Sequence, residues 1–366
     1  MQPDVLLHLV EPSAWREALR AGAVRPTSLT DVGFVHLSTP DQVHLPAQAL
    51  FPGRRDVALL VVDPARLPDP VRFEPGRLED PAGMLFRHLY GPLPTSAVVA
   101  VVPYRRPLPP LPSPGDSEAR ARAFLTSLPI RRAVGVGDVP GGVAVLDPDF
   151  PYSRDNNRLV LAEPVDAATV DAAAEQVGGN AGWPHRAVLL AWAGAEDTAA
   201  ALRERGWETE ELVLMARAGE PAPPGDERVS VVDQREVHGF WERSWLERLA
   251  HVGRDLDRVV RELVGREHLN DRVVAVTDLV VREDGEVVAS AQLRVDGATA
   301  AVDSVLTAPA ARGRGHADAL LRRALRLADE AGCDLVVLEA TADDWPQHWY
   351  ARRGFRPVGT MWSAER

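Results

Sequence analysis

Apolar and polar positions along this chain follow two periods, and the switches between them mark out three blocks. The first block reads as strands. "DVLLHLV" (Asp4 to Val10) and "AVVAVVPY" (Ala97 to Tyr104) are short apolar runs, and "GFVHLST" (Gly33 to Thr39) alternates. In that alternating run Phe34, His36 and Ser38 share one face while Val35 and Leu37 take the other. The last block opens with helical spacing over "FWERSWLERLAHVGRDLDRVVREL" (Phe240 to Leu263), where Trp241 and Trp245 fall on one face and serve either the core or an apolar pocket. A hairpin follows, "VVREDGEVVASAQLRV", turning at Asp284-Gly285, and then the strand "AAVDSVLT" (Ala300 to Thr307). Leu320, Leu321, Ala324, Leu325, Leu327 and Ala328 recur at helical spacing up to a capping Gly332, and "DLVVLEAT" reads as a buried strand.

Two proline-rich stretches separate the blocks. Pro107–Ser117, "PLPPLPSPGDS", reads as a stiff extended spacer and Ala218–Asp226, "AGEPAPPGD", as a second, leaving segments 1–106, 118–217 and 227–366. The last two look like copies of one another. "AVLLAWAGAEDTAAALRERGW" (Ala187 to Trp207) aligns without a gap on "LVVLEATADDWPQHWYARRGF" (Leu335 to Phe355). Each runs from an apolar strand through a polar turn and a short helix to Arg-Gly-aromatic, where Gly206 and Gly354 suit a left-handed helix end. Trp345 and Trp349 read as core positions of that short helix.

Composition narrows the chemistry. The 366 residues, 45% hydrophobic and 26% charged, suit a globular protein of two or three domains. No apolar run reaches the ~18 residues that a membrane span needs. The start, "MQPDVLLHLVEPSAWRE", lacks a basic region and breaks its apolar run at His8 and Glu11, so it does not read as a signal peptide. A single cysteine, Cys333, excludes an internal disulfide and a cysteine-rich zinc site, and the expected compartment is the cytoplasm. The chain has no lysine, which excludes Schiff-base chemistry and a P-loop lysine. A net charge of -12 argues against nucleic acid as a partner and suits a cationic amine.

The candidate site lies between the strand ending at Thr307 and the helix that follows. "ARGRGHA" (Ala311 to Ala317) sits where a helix begins, where free backbone N–H groups and the helix dipole favour an anion. Gly313 and Gly315 let the backbone close on a ligand, and Ala317 keeps the first turn uncrowded. A dinucleotide fingerprint fits poorly, because its third glycine is absent and Pro309 lengthens the turn.

Arg312, Gly315 and Ala317, with the flanking strand and helix and "HWYARRGF", resemble the motif of the GCN5-related N-acetyltransferase (GNAT) family. The resemblance implies a mixed-sheet α+β acyl-CoA N-acyltransferase fold over 227–366, paired with a degenerate copy at 118–217. It also implies acetyl-coenzyme A as co-substrate and a small-molecule amine or a protein N-terminus as acceptor. Arg312, Gly313, Arg314, Gly315, His316 and Ala317 would hold the pyrophosphate, and Val305, Leu306 and Thr307 would pair with the pantetheine arm. Tyr350 stands where the family has its general-acid tyrosine, although an aromatic there can also simply pack the helix on the sheet. Asp303 and Glu339 are the candidate general bases, through a water or as surface carboxylates. Asp343 replaces the asparagine often found seven positions before the tyrosine. In the first copy Leu202 aligns with Tyr350, and "PVDAATVDAAAEQ" (Pro164 to Gln176), in which Asp166 suits a helix N-cap, replaces the glycine loop.

Residues 1–106 resemble a bacterial family known as domain-of-unknown-function family 952, related to ADP-ribosyltransferases and tRNA 2′-phosphotransferases. On that resemblance this segment is a small β-rich α+β domain in which His8, His36 and Ser38, with His88 nearby, face an NAD-like nucleotide. Leu9-Val10 departs from the Gly-Thr expected after the first histidine. The alternatives to acyl transfer are an NAD-dependent ADP-ribosyl- or phosphotransferase-like activity or nucleotide binding in this domain, or a non-catalytic acyl-CoA-binding protein overall; the histidines and serine can equally be polar side chains satisfied within the domain. No metal site is expected.

Overall fold

A computed structural model describes residues 4–75, 85–250 and 255–366. The first unit is built on two small antiparallel sheets. One has the order β1 (Leu6–Val10), β4 (Ala58–Val62), β8 (Val98–Pro103), and the other β3 (Val35–Leu37), β6 (Leu85–Leu89), β5 (Val71–Pro75). A bridge between Leu7 and Ser38 joins them, and β2 (Ala23–Val24) pairs with β7 (Leu93–Pro94). Helices α1 (Pro12–Ala21), α2 (Thr27–Asp31) and α3 (His44–Leu50) complete the unit. Every residue of β4 is buried because apolar side chains cover both of its faces, Leu60 and Val62 on one and Leu59 and Val61 on the other. Residues 107–117 do not stand off as a spacer: Leu108 and Leu111 pack on this unit and Pro112 is buried.

After α4 (Ser117–Arg132) the chain makes the same fold twice. The first copy runs β9 (Gly135–Val139), β10 (Gly142–Leu146), β11 (Arg158–Leu161), α5 (Ala167–Ala181), β12 (Ala187–Leu190), α6 (Glu196–Glu204) and β13 (Glu208–Ala218). The second adds β14 (Val229–Val232), α7 (Arg235–Arg248) and α8 (Leu256–Gly265) in front. It then repeats the pattern as β15 (Ala275–Glu283), β16 (Glu286–Asp296), β17 (Thr299–Thr307), α9 (His316–Glu330), β18 (Leu335–Thr341), α10 (Pro346–Ala351) and β19 (Arg356–Glu365). In each copy two antiparallel pairings lead to a parallel one across a helix, β11 beside β12 and β17 beside β18. Gly206 and Gly354 both take φ of 86°, the left-handed value that turns the chain from the short helix into the last strand.

The two copies interleave. Their strands form one 11-stranded sheet in the order β14-β15-β16-β17-β18-β13-β19-β12-β11-β10-β9. The first copy's last strand, β13, therefore lies between β18 and β19 of the second, and β19 lies between β13 and the first copy's β12. Side chains follow the exchange. Val213 and Met215 of β13 enter the core under α9, and Ala364 and Trp362 of β19 enter the core with α5 and α6.

The first unit docks on the turn between β16 and β17. Trp15 Nε1 donates to Asp296 at 2.8 Å, buried, and Arg131 pairs with the same carboxylate. Ala298 N donates to Val98 O at 2.7 Å and Thr299 Oγ1 to Val99 O at 2.8 Å. Gly297 has φ of 78°, and a Cβ there would stand 2.3 Å from Val98 O, so only glycine allows this approach.

Because β18 and β19 lose their shared neighbour without β13, a fragment of residues 227–366 is expected to lack a cooperative thermal transition. Residues 118–366 should retain one by circular dichroism.

Candidate functional site

The sheet opens where β17 and β18 part. They pair in parallel over only three positions, Thr299 to Ala301 against Leu335 to Val337. Two residues further on, at the same offset, stand Asp303 and Glu339. A bulge lies just beyond, where the β16–β17 register shifts between Ser290 and Gln292, and Ser304 takes φ of 52°. Positive φ on a non-glycine is strained, and here it bends β17 away from β18. Asp303 Oδ1 accepts from Ser304 N at 2.5 Å and its other oxygen pairs with Arg294.

Val305, Leu306 and Thr307 lie on the diverging end of β17, and a short turn over Pro309–Ala311 leads from it to α9. Gly313 and Gly315 have φ of 75° and 78°, with open space where a side chain would stand. Gly315 is the N-cap of α9, and no side chain caps that helix, so its first N–H groups are free for an anion. The side chains of the loop are partly committed. Arg314 donates to Glu283 at 2.6 Å and His316 Nε2 lies 3.0 Å from the same carboxylate, while Arg312 reaches Thr307 O at 3.4 Å. What the loop offers a phosphate is therefore chiefly backbone.

Tyr350 is buried in α10, stacked edge-on against Trp349 and Phe355. Burial, with the Asp303 charge nearby, raises its phenol well above the usual value and keeps it a proton donor. Glu339 is exposed on β18. Loss of solvent pushes its carboxyl up to about 7, with Asp303 and Asp155 adding to the rise and Arg158 and Arg294 opposing it. Among the described residues it has no hydrogen-bond partner.

The first copy lacks every one of these features. The aligned register puts Ala162 where Asp303 stands and Ala191 where Glu339 stands, and Leu202 replaces Tyr350. Asp166 accepts from Ala168 N and Thr169 N at 3.0 Å each, so a carboxylate of the chain already fills the anion position of α5. Trp241 is core and donates to Ser290 at 3.1 Å. Trp345, expected in the core, is 64% exposed, because the short α10 turns it away from the sheet; Trp349 is partly buried.

Sequence reasoning missed Asp155 and Arg158 of the first copy, whose charges act on Glu339. The polar loop before β11 was visible, but its neighbours lie more than 100 residues away along the chain.

In the first unit the histidines do assemble. His36 and His88 rings lie 5.1 Å apart on paired strands, and His8 Nδ1 is 2.8 Å from His36 O. Phe34 stacks on His88 at 3.8 Å, and Glu74 accepts from Tyr90 at 2.7 Å. Ser38 is buried, its backbone paired with Leu7. Burial lowers the pKa of all three histidines. Among the described residues, no group of three or more His, Cys, Asp or Glu is placed to hold a metal, and no helix is long and apolar enough to cross a membrane.

Residues 238–355 match the model of the Acetyltransferase (GNAT) family, and residues 9–101 that of a protein family of unknown function, DUF952. The chain joins a DUF952 domain to a GNAT domain. A GCN5-related N-acetyltransferase from Kribbella flavida is 22% identical, covering 69% of this chain and 95% of that one, with a TM-score of 0.46. A functionally unknown conserved protein from Staphylococcus epidermidis is 14% identical, covering 63% and 92%, with a TM-score of 0.49. A protein from Caulobacter crescentus is 29% identical, covering 27% and 84%, with a TM-score of 0.24. No curated protein matches the chain.

The raised carboxyl of Glu339 has a consequence for stability. Its value in the folded protein lies above the ordinary 4.5, so the protonated form suits the fold. That contribution is complete below 4.5 and is lost as pH rises through about 7. Glu339→Gln, which keeps the neutral form, is expected to gain on the parent protein between pH 5 and pH 8 in urea unfolding.

Proposed function

We propose that the GNAT domain transfers an acyl group from acyl-coenzyme A to an amine, using Glu339 as general base and Tyr350 as general acid. The observation that carries this reading is the unpartnered, exposed carboxylate of Glu339, two residues past the last β17–β18 pair, where the strands part; the uncapped glycine-rich start of α9 follows β17. The residues present fit coenzyme A: Gly313 and Gly315 leave room for a pyrophosphate against the N–H groups of α9, and the diverging end of β17, Val305 to Thr307, suits the pantetheine arm.

The thioester supplies an activated carbonyl and a thiolate leaving group. Glu339 takes the proton that the acceptor nitrogen sheds as its lone pair bonds to that carbonyl. With a value of about 7 it is both ionised and basic near neutrality. As the carbon–sulfur bond breaks, Tyr350 gives its proton to the sulfur; its neutral, buried phenol is suited to that step. Asp303, held by Arg294 and Ser304, keeps a second negative charge at the mouth of the opening and so disfavours ionisation of both partners.

Gly315→Glu is expected to abolish acetyl-coenzyme A binding in calorimetry, since it strains a left-handed position and sets a carboxylate where phosphate belongs. Glu339→Gln should lower kcat by about 10²- to 10⁴-fold and remove the rise of kcat/KM with pH up to about 7. Tyr350→Phe should leave cofactor affinity intact and slow turnover; unchanged turnover would remove the tyrosine from the mechanism. The first copy is expected to add no second cofactor site, so calorimetry of the whole chain should saturate at one acetyl-coenzyme A per chain.

A further inference from the structure

Arg87 is a charge in an apolar place. On β6 it stands opposite Leu37 of β3 and Phe73 of β5. Side chains alternate along a strand, so Arg87 shares a face with Val35, Leu37, Leu89 and Val71, which pack in or against the core of the first unit. His36 and His88 take the other face. Arg87 and that histidine pair therefore serve different sides of one sheet.

The guanidinium lies 3.4 Å from the centre of the Phe73 ring, and its Nε is buried with no hydrogen-bond partner among the described residues. No acid there closes an ion pair with it, and loss of solvent alone lowers its pKa. The charges next to it are already paired: Arg66 is held by Asp63 and Asp334, and Asp63 also accepts from Ala65 N at 2.9 Å. An unpaired cation kept from water costs free energy that an anionic partner recovers. Arg87 also lines a cavity of about 310 Å³. Leu6, Leu67 and Val71 form the apolar wall of this cavity, and Asp69 is its one acid among the described residues. The Asp69 carboxylate is folded over Gly91, where a Cβ would stand 1.9 Å from its Oδ2, so a glycine is what leaves room for it.

We propose that this cavity binds a small organic monocarboxylate with an apolar body, its carboxylate on the Arg87 guanidinium and its hydrocarbon part against Leu6, Leu67 and Val71. A planar guanidinium matches a carboxylate in geometry as well as charge. The volume is at the low end for small-molecule sites, which suits a short acid and not a dinucleotide. Asp69 sets a second limit, because its like charge repels a dianion such as inorganic phosphate more than it repels a monoanion. The site belongs to the DUF952 domain and does not depend on the acyl-transfer reading.

The test is calorimetry on the full chain with straight-chain carboxylates from acetate to octanoate, the carboxamide of each, and inorganic phosphate. Affinity should rise about fourfold per methylene until the hydrocarbon fills the cavity, and then level off. Each carboxamide should bind about 10- to 100-fold more weakly, the loss of one charged hydrogen-bonded contact. Arg87→Gln should erase that preference, with unchanged hydrogen exchange in β4 to show that the domain is folded. Ala65→Trp, at an exposed position on the cavity, should block binding with Arg87 in place, and Asp69→Asn should strengthen carboxylate binding and admit phosphate. No binding of any carboxylate, equal affinity for the carboxamides, tighter binding of phosphate by the parent protein, or unchanged binding in Ala65→Trp would each overturn the proposal.

Discussion

The exchange of β13 and β19 is the constraint on which the rest of this molecule depends. Backbone groups at a sheet edge need partners, and each copy, ending after its last strand, would leave β18 or β12 with one side unpaired. By trading last strands the copies satisfy one another. The exchange also commits side chains, because Val213 and Met215 complete one core and Trp362 and Ala364 the other. Neither copy has a closed core of its own.

That commitment ties the first copy into the fold although it lacks the side chains that stand at the second copy's opening. Ala162, Ala191 and Leu202 stand at the positions of Asp303, Glu339 and Tyr350, and Asp166 occupies its own helix start. The first copy still supplies β13 beside β18 and lays the 147–157 loop on α8 and the turn after it.

The DUF952 domain is joined at a different place, by groups that are buried and mutually satisfied. Asp296 takes both Trp15 and Arg131, and the turn through Gly297 hands backbone hydrogen bonds to Val98 and Val99. Removing either partner would leave a buried charge or a buried donor alone, which costs about 3–5 kcal/mol for an ion pair. The same turn ends the β16–β17 hairpin that carries Asp303, so the docked domain braces one side of the β17–β18 opening. Of its clustered histidines, His36 and His88 lie on the separate β3–β6 sheet and His8 on β1.

Local pattern alone determined a good deal. The hairpin at Asp284-Gly285, the strand into Thr307, the helix after Gly315 and the glycine stops at Gly206 and Gly354 all follow from period and backbone freedom, which neighbours in sequence decide. The repeat was legible for the same reason, since both copies spell one order of elements. The placement of β13 was not, because strand pairing is a choice among edges and many registers satisfy one alternating strand. Nor was the loop's docking on α8, or the rise of the Glu339 carboxyl. A carboxylate's proton affinity depends on which charges and how much water surround it, and Arg158, Asp155 and Arg294 meet Glu339 only when the chain has folded.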